Sequence, residues 1–342
     1  MKKFSLFNKL LLTVNFILVI LLLLACIVPY ASIASFSFLS LCVPLLVILN
    51  ILFVAYWCFV KFKMIRFSLF ALIVGYFSLG SFYRLSNKIV VSKENGIGIM
   101  SFNTAGFGKS KYGKQYKDGK HIIDFIIEQN QDIVCIQEFD GRRRNSSDFD
   151  IYPHEYFNGG TNNNVSKVRQ AIFSKYPIID TGVLDFPKSF NQGIYADVII
   201  EKDTLRIYNL HLESLRVRPL SIAHEESDKL FKRLNSSFSK QQQQAEIFKK
   251  HAATSPYKYI VCGDFNNTQF SNPYLTIRGD MKDTFEEKGS GYGKTIYFWR
   301  FPLRIDFILT DPSFEVLTHQ NFDVSLSDHK PIIASIKLGS DK

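Results

Sequence analysis

Two hydropathy patterns divide the 342-residue chain. The first 90 residues contain three long uncharged apolar stretches, from Leu10 to about Tyr30, from Phe36 to about Val60 and from Phe67 to about Tyr83. A bilayer core needs about 20 helical residues, with a lower limit of about 17, so each stretch predicts a membrane-spanning helix. Helices buried in a soluble core would keep a polar face, which these lack. A cleaved signal peptide is a rival reading of the first stretch, since Lys2 and Lys3 precede it and Leu24-Ala25-Cys26 faintly resembles a lipoprotein processing site. Two further spans follow at once, which favours the anchor.

From about residue 91 the pattern shortens. Gly96–Phe102, Asp132–Gln137, Ala171–Phe173, Gly193–Ile200, Thr204–Leu212, Tyr257–Cys262, Leu303–Leu309 and Pro331–Leu338 are short β-rich apolar runs, alternating or fully buried in type, and predict strands. His121–Gln129 and Ser236 to about Ala253 predict helices; Asn235 is a suitable cap for the second, and its Gln241–Gln244 run reads as a solvated face. Many strands with few helices favour an α/β fold of sheets packed on each other with helices outside, rather than a doubly wound parallel sheet. Residues 91–342 suit one large domain, preceded by an anchor in 1–90. There is no internal repeat and no Gly-rich phosphate loop.

Charge follows the same division. Residues 1–90 carry eight Lys or Arg and no Asp or Glu, whereas the remainder carries 33 basic against 31 acidic side chains. The net charge of +10 is therefore a property of the anchor and lends little support to nucleic-acid binding. Lys2, Lys3 and Lys9 flank the first span and Lys61–Arg66 lies between the second and third, so both should be cytoplasmic and the following domain extracytoplasmic. The expected location is a bacterial inner membrane or a plasma membrane. Cys135 and Cys262 fall inside apolar strands and read as buried free thiols; no CxxC or zinc-ligand spacing occurs.

Short polar motifs end the apolar runs: SFN at Asn103, IQE at Glu138, NLHLES at His211, GDFN at Asp264 and Asn266, RID at Asp306, and SDH at Asp328 and His329. Carboxylates, amides and histidines at strand ends are the parts needed to hold a hard divalent cation beside a phosphate ester. Glu138 suits a rigid Mg²⁺ ligand. Asp264 and Asn266, two residues apart, would face the same way in an extended segment and reach one attacking water. Asp306 and His329 suggest a carboxylate orienting an imidazole, His211 could donate to a phosphate oxygen, and Asp328 adds a carboxylate for a metal or the same water. Each of these residues read alone has a bland structural explanation; the set does not.

The ordered set SFN, IQE, NLHLES, GDFN, RIDFIL and SDHKP resembles the endonuclease/exonuclease/phosphatase superfamily, whose fold is that of deoxyribonuclease I, over about residues 96–340. The resemblance implies a four-layer α/β sandwich, two mixed sheets face to face with helices outside, and Mg²⁺- or Mn²⁺-dependent phosphoester cleavage. It implies that Asn103, Glu138 and Asp328 belong to the metal site and that Asp264 and Asn266 position or deprotonate the water. Asp306 would pair with His329, and His211 would bind the scissile phosphate or assist the leaving group. Family members acting on nucleic acid often add a central Tyr or Arg; Tyr152, His154, Gln170, Asn191 and Tyr195 are the candidates. The expected activity is that of a membrane-anchored phosphodiesterase acting on a lipid headgroup or a small phosphodiester, with no obligate protein partner. The alternatives are an extracytoplasmic nuclease for DNA or RNA and a non-catalytic binder of a phosphorylated ligand. The loops Asn158–Ser166 and Gly289–Gly293 and the aromatic stretch Tyr292–Trp299 are candidates for substrate or membrane contact.

Overall fold

Three helices, α1 (Leu6–Ala25), α2 (Leu39–Val60) and α3 (Ile65–Leu79), open the computed structural model, which describes residues 4–31, 34–85, 96–108, 119–141, 147–158, 168–216, 226–298 and 301–339. With their adjoining turns, these helices are long and apolar enough to cross a membrane, over Leu6–Tyr30, Ala34–Val60 and Phe62–Leu79. The third lies several residues upstream of the expected 67–83, because Gly80 at φ 74° ends the helix and Lys63 and Arg66 are drawn into its first turns. Apolar side chains point outward, with Leu6, Phe59 and Phe77 at 85%, 92% and 82% exposure. Polar side chains are inside. Asn15 of α1 donates to Ser68 Oγ of α3 at 2.6 Å and accepts from Trp57 Nε1 of α2 at 2.9 Å, so one amide joins all three helices. In a bilayer, where apolar contact does not distinguish neighbour from lipid, small residues and such polar pairs select the partner.

The remainder is built from β1 (Ile97–Asn103), α4 (Gly119–Gln129), β2 (Ile133–Gln137), β3 (His154–Phe157), β4 (Gln170–Ser174), β5 (Ile178–Leu184), β6 (Gly193–Ile200), β7 (Asp203–His211), α5 (Ser227–Ala252) and β8 (Tyr259–Asp264). It continues with α6 (Asn272–Arg278), β9 (Lys282–Asp283), α7 (Thr284–Lys288), β10 (Ile296–Phe298), β11 (Phe301–Leu303), β12 (Asp306–Thr310), β13 (Glu315–Asn321) and β14 (Ile332–Lys337). Two six-stranded sheets result, in the orders β13-β14-β1-β2-β4-β3 and β5-β6-β7-β8-β12-β9, with β10-β11 as a separate hairpin. Each sheet is mixed. β1 and β2 run parallel, as do β7 and β8, and the other pairs within the two sheets are antiparallel. A parallel pair needs a crossover, and α4 and α5 lie in these two connections.

Alternation along the strands makes the four layers. Ile97, Ile99, Ile133, Cys135, Ile207, Ile260 and Cys262 face the opposite sheet in one apolar core, while Met100, Phe102, Val134 and Ile136 meet Ile122, Phe125 and Ile126 of α4 on the outside. Tyr208, Leu210 and Val261 meet Ala245 and Phe248 of α5 on the other outer face. Cys135 and Cys262 are buried free thiols, and burial pushes Cys135 up, with the neighbouring Cys262 adding to the rise.

Several expectations need correction. α5 begins at Ser227, nine residues before the expected Ser236, and Asn235 is not its cap: its amide points sideways, donating to Ser35 Oγ at 3.3 Å. The glutamine run is a solvated face only in part: Gln243 is exposed and Gln242 half-buried, but Gln241 and Gln244 are buried and bond to loops beside β7 and β8. The expected strand Leu303–Leu309 is two, β11 and β12, because Arg304 turns inward to pair with Asp283 at 2.6 Å. Apart from Asn158, the loop Asn158–Ser166 lies outside the described residues, as do Trp299 and Arg300.

Candidate active site

The site grows out of strand alternation. On the faces that meet between the sheets, β1 reads Ile97, Ile99, Ser101, Asn103; β2 reads Ile133, Cys135, Gln137; β7 reads Leu205, Ile207, Asn209, His211; and β8 reads Ile260, Cys262, Asp264. All four change from hydrocarbon to polar towards their carboxyl ends. The register aligns these ends, pairing Asn103 with Gln137 and His211 with Asp264, and the antiparallel β12 brings Asp306 opposite Asp264. Gly263 of GDFN permits this: a Cβ there would lie 2.0 Å from the carbonyl oxygen of Leu210 on β7, so only glycine lets the strands approach.

Beneath the site, Asn209 stitches the sheets. Its Nδ2 donates to the carbonyls of Ile136 and Ala171 at 2.9 and 3.0 Å, and its Oδ1 accepts from Gln137 Nε2 at 2.7 Å. Gln170 Nε2 adds a bond to the Asn209 carbonyl at 2.9 Å. Above this floor two more pairs cross the seam. Asn103 Nδ2 donates to Asp264 Oδ2 at 3.0 Å, and His329 Nδ1 lies 2.9 Å from Asp306 Oδ2. His211 Nε2 and His329 Nε2 stand 3.5 and 3.7 Å from Asp264 Oδ2, close enough for charge attraction though long for hydrogen bonds. Asn266 holds Asp264 from the loop side, donating from its backbone N–H at 2.8 Å and from Nδ2 at 3.3 Å.

Electrostatics distinguish the buried groups. Burial pushes Asp264 up to about 6, with Asp306 adding to the rise and His329 and His211 opposing it. Burial works against the imidazolium of His329, but Asp306 and Asp264 outweigh it and hold its proton well above the usual imidazole range. Glu138 at φ 51° and Asn266 at φ 50° both adopt left-handed backbone, which is uncommon outside glycine and clusters at functional sites. At Glu138 the turn ends the strand's alternation one residue beyond Gln137, and its carbonyl accepts from Gly106 N–H at 2.9 Å and Thr104 Oγ1 at 3.2 Å.

A family model described as the Endonuclease/Exonuclease/phosphatase family matches residues 100–329, two-thirds of the chain and all of this site. The chain belongs to that family. Its members hydrolyse phosphoester bonds, and this endonuclease/exonuclease/phosphatase chain is a hydrolase of that class. A second model, described as a domain of unknown function (DUF8431), matches residues 8–82. Curated protein sequences yield no match. Among solved structures, an endonuclease/exonuclease/phosphatase from Beutenbergia cavernae is similar at 16% identity and TM-score 0.53, with 72% of each chain covered. The human Nocturnin catalytic domain with bound sulfate anion is similar at 14% identity and TM-score 0.53, covering 71% of this chain and 94% of that one. A humanized D. rerio TDP2 is similar at 15% identity and TM-score 0.51, covering 70% and 98%. At these identities the likeness is one of fold: the four-layer sandwich expected from the motifs.

The predicted residues divide within this family site. Asn103, His211, Asp264, Asn266, Asp306 and His329 are brought together by the contacts described. Asp264, Asp306 and His329 each offer one ligand atom, all within 4.8 Å of one another, a different trio from the predicted Asn103, Glu138 and Asp328. Asp328 accepts from Ser327 Oγ at 3.1 Å and adds to the negative field on His329. Of the central candidates, Tyr152 is buried among Phe149 and Phe173, and Tyr195 lies on the α5 side beneath Arg206. His154 starts the edge strand β3, Gln170 belongs to the floor, and Asn191 donates to the Leu212 carbonyl at 2.5 Å. Sequence reasoning missed Gln137 and Asn209, although both fall on the inward face of a motif-bearing strand, Asn209 two residues before His211.

Proposed function

We propose that the chain is a membrane-anchored, Mg²⁺- or Mn²⁺-dependent phosphodiesterase, with an anchor in residues 1–90 and an extracytoplasmic catalytic domain in 91–342. The observation that carries this reading is the buried Asp264–Asp306–His329 cluster, in which His329, from the loop before β14, reaches the carboxylates of two adjacent strands of the other sheet. Asp264, raised to about 6, is still mainly ionised at neutral pH and suits a base that takes a proton from water. Asn103 and Asn266 fix its orientation. His329, held protonated by Asp306, presents a cation to a nonbridging phosphate oxygen, and His211 donates beside it. The donor set fits a hard divalent cation: carboxylates outnumber cationic groups, burial strains Asp264 towards neutrality, and Glu138, Asn103 and Asp328 supply oxygens. When bound, such a cation would offset the charge that develops on the phosphate and the leaving oxygen.

Orientation has structural support. Lys61 lies 4.0 Å over the ring of Phe4, so the amino terminus and the α2–α3 connection share one end of the bundle, whereas Pro29 and Ser40 at the other end bond to the sandwich. The positively charged end is thus remote from the site, as expected of a cytoplasmic face. Tyr292 packs on Phe82 with ring centroids 5.9 Å apart, beside exposed Tyr83, which keeps an aromatic rim near the bundle. These features favour a lipid headgroup as substrate. A nuclease is the second reading, motivated by D. rerio TDP2, whose structure with a single strand DNA product has the same fold at TM-score 0.50 and 15% identity. Salt discriminates the two, because nucleic-acid binding weakens steeply with ionic strength. The test is hydrolysis by the full chain of phospholipid, DNA, RNA and a generic phosphodiester with Mg²⁺ or Mn²⁺. Cleavage of lipid that is insensitive to salt supports the first reading, and salt-sensitive cleavage of nucleic acid alone replaces it with the second.

A further inference from the structure

The sandwich meets the helical bundle beside the candidate site, through the loop that follows β8. Phe270, 1% exposed and six residues beyond Asp264, belongs to the bundle's own apolar cluster with Leu22, Val28, Leu39 and Val43. Thr268 Oγ1 donates to the Ser40 carbonyl at 2.8 Å, and Asn272 Nδ2 donates to the Pro29 carbonyl at 2.7 Å. Ser40 Oγ, in the first turn of α2, lies 2.9 Å from Asn267 Oδ1 and 2.6 Å from the Ser37 carbonyl, its one proton serving either.

From there the polar chain runs inward. Asn267 Nδ2 donates to Gln241 Oε1 at 2.9 Å, and Gln241 Nε2 donates to the carbonyls of Asn266 at 3.1 Å and Glu213 at 2.7 Å. Glu213 stands two residues after His211. Ser40, Gln241 and Asn267 are each 0% exposed, so water cannot readily replace a bond broken here, and Asn267 Oδ1 would keep only the Thr268 N–H at 2.9 Å. One side-chain relay therefore joins the end of a membrane helix to the loops that follow β7 and β8 at the site.

We propose that the bundle is a working part of the active site, with Ser40, Asn267 and Gln241 acting as positioning residues for the loop that carries Asp264 and Asn266. The proposal rests on the reading that those two residues orient and deprotonate water. It makes turnover dependent on docking between anchor and sandwich, beyond simple tethering.

The test uses the full chain in nanodiscs with Mn²⁺ and bis(p-nitrophenyl) phosphate. Ser40→Ala, a change compatible with a helix, is expected to lower kcat about three- to tenfold, the scale of one hydrogen bond, with KM unchanged. Ser40→Thr, which keeps the hydroxyl, should restore kcat. Hydrogen exchange without substrate should rise across residues 264–268 in Ser40→Ala. Wild-type kcat in that variant, or unchanged exchange across that segment, overturns the proposal. A wild-type chain that hydrolyses no phosphodiester refutes the functional reading instead, and the exchange measurement then decides the coupling alone.

Discussion

The two ends of the seam between the sheets are built from the same strands yet do opposite things. At one end Ile97, Ile99, Ile133, Ile207 and Ile260 meet as hydrocarbon, and at the other Asn103, Gln137, Asn209, Asp264 and Asp306 meet as amides and carboxylates. β1, β2, β7 and β8 each change character within a step or two of the period-2 face. The apolar end contributes cohesion in proportion to area buried and tolerates many shapes. The polar end holds the sheets together through directional bonds across the seam, such as those of Asn209 and Asn103, so it is specific in geometry. Stability and chemistry are thus separated by about two residues along each strand.

That separation can be broken by substitution. The largest effect should come from Asp264→Asn, which keeps the shape and removes the base: kcat should fall by about a thousandfold, within the range for loss of a general base, with little change in Tm. Ile207→Ala, at the apolar end, should do the reverse, costing about 2–5 kcal/mol of stability in denaturant unfolding while leaving kcat within about twofold. If Ile207→Ala abolished activity in a protein shown to remain folded, the ends would not be separable. Glu138→Ala should raise the Mn²⁺ concentration for half-maximal rate by about 10- to 100-fold, the scale of a lost ligand or its support, and lower kcat as well. Unchanged metal response would remove Glu138 from the metal site.

The smallest effect is in pH dependence. A base must be ionised, so activity should fall about tenfold per pH unit on the acid side of Asp264, whose proton is held to about 6. A bound cation would move that limb to lower pH, and the limb should persist in Ile207→Ala. An acid limb well above 6 would assign the base elsewhere.

The legible parts of the molecule were those where burial is two-sided. β1, β2, β4 and β12 are buried at every position, and their runs of Ile, Val and Phe stand out against any neighbour. Besides the two- and three-residue β9 and β10, the strands missed are β3, β5 and β13, edge strands with exposed polar residues, such as His154–Phe157, whose mixed composition reads as loop. Site residues at strand ends were legible because each terminates an apolar run. The relay through Gln241 and Asn267 was not: a glutamine run in an amphipathic helix looks solvated until the loops after β7 and β8 cover it. Tertiary contact, which no local pattern encodes, made the difference.

The most direct test of the account is metal-dependent hydrolysis of a phosphodiester by the full-length chain, with His329→Ala as the control. Turnover with Mg²⁺ or Mn²⁺ is expected, with its loss in chelator and a fall of at least about a hundredfold in the variant. Equal rates in chelator, or full activity in His329→Ala, would contradict it.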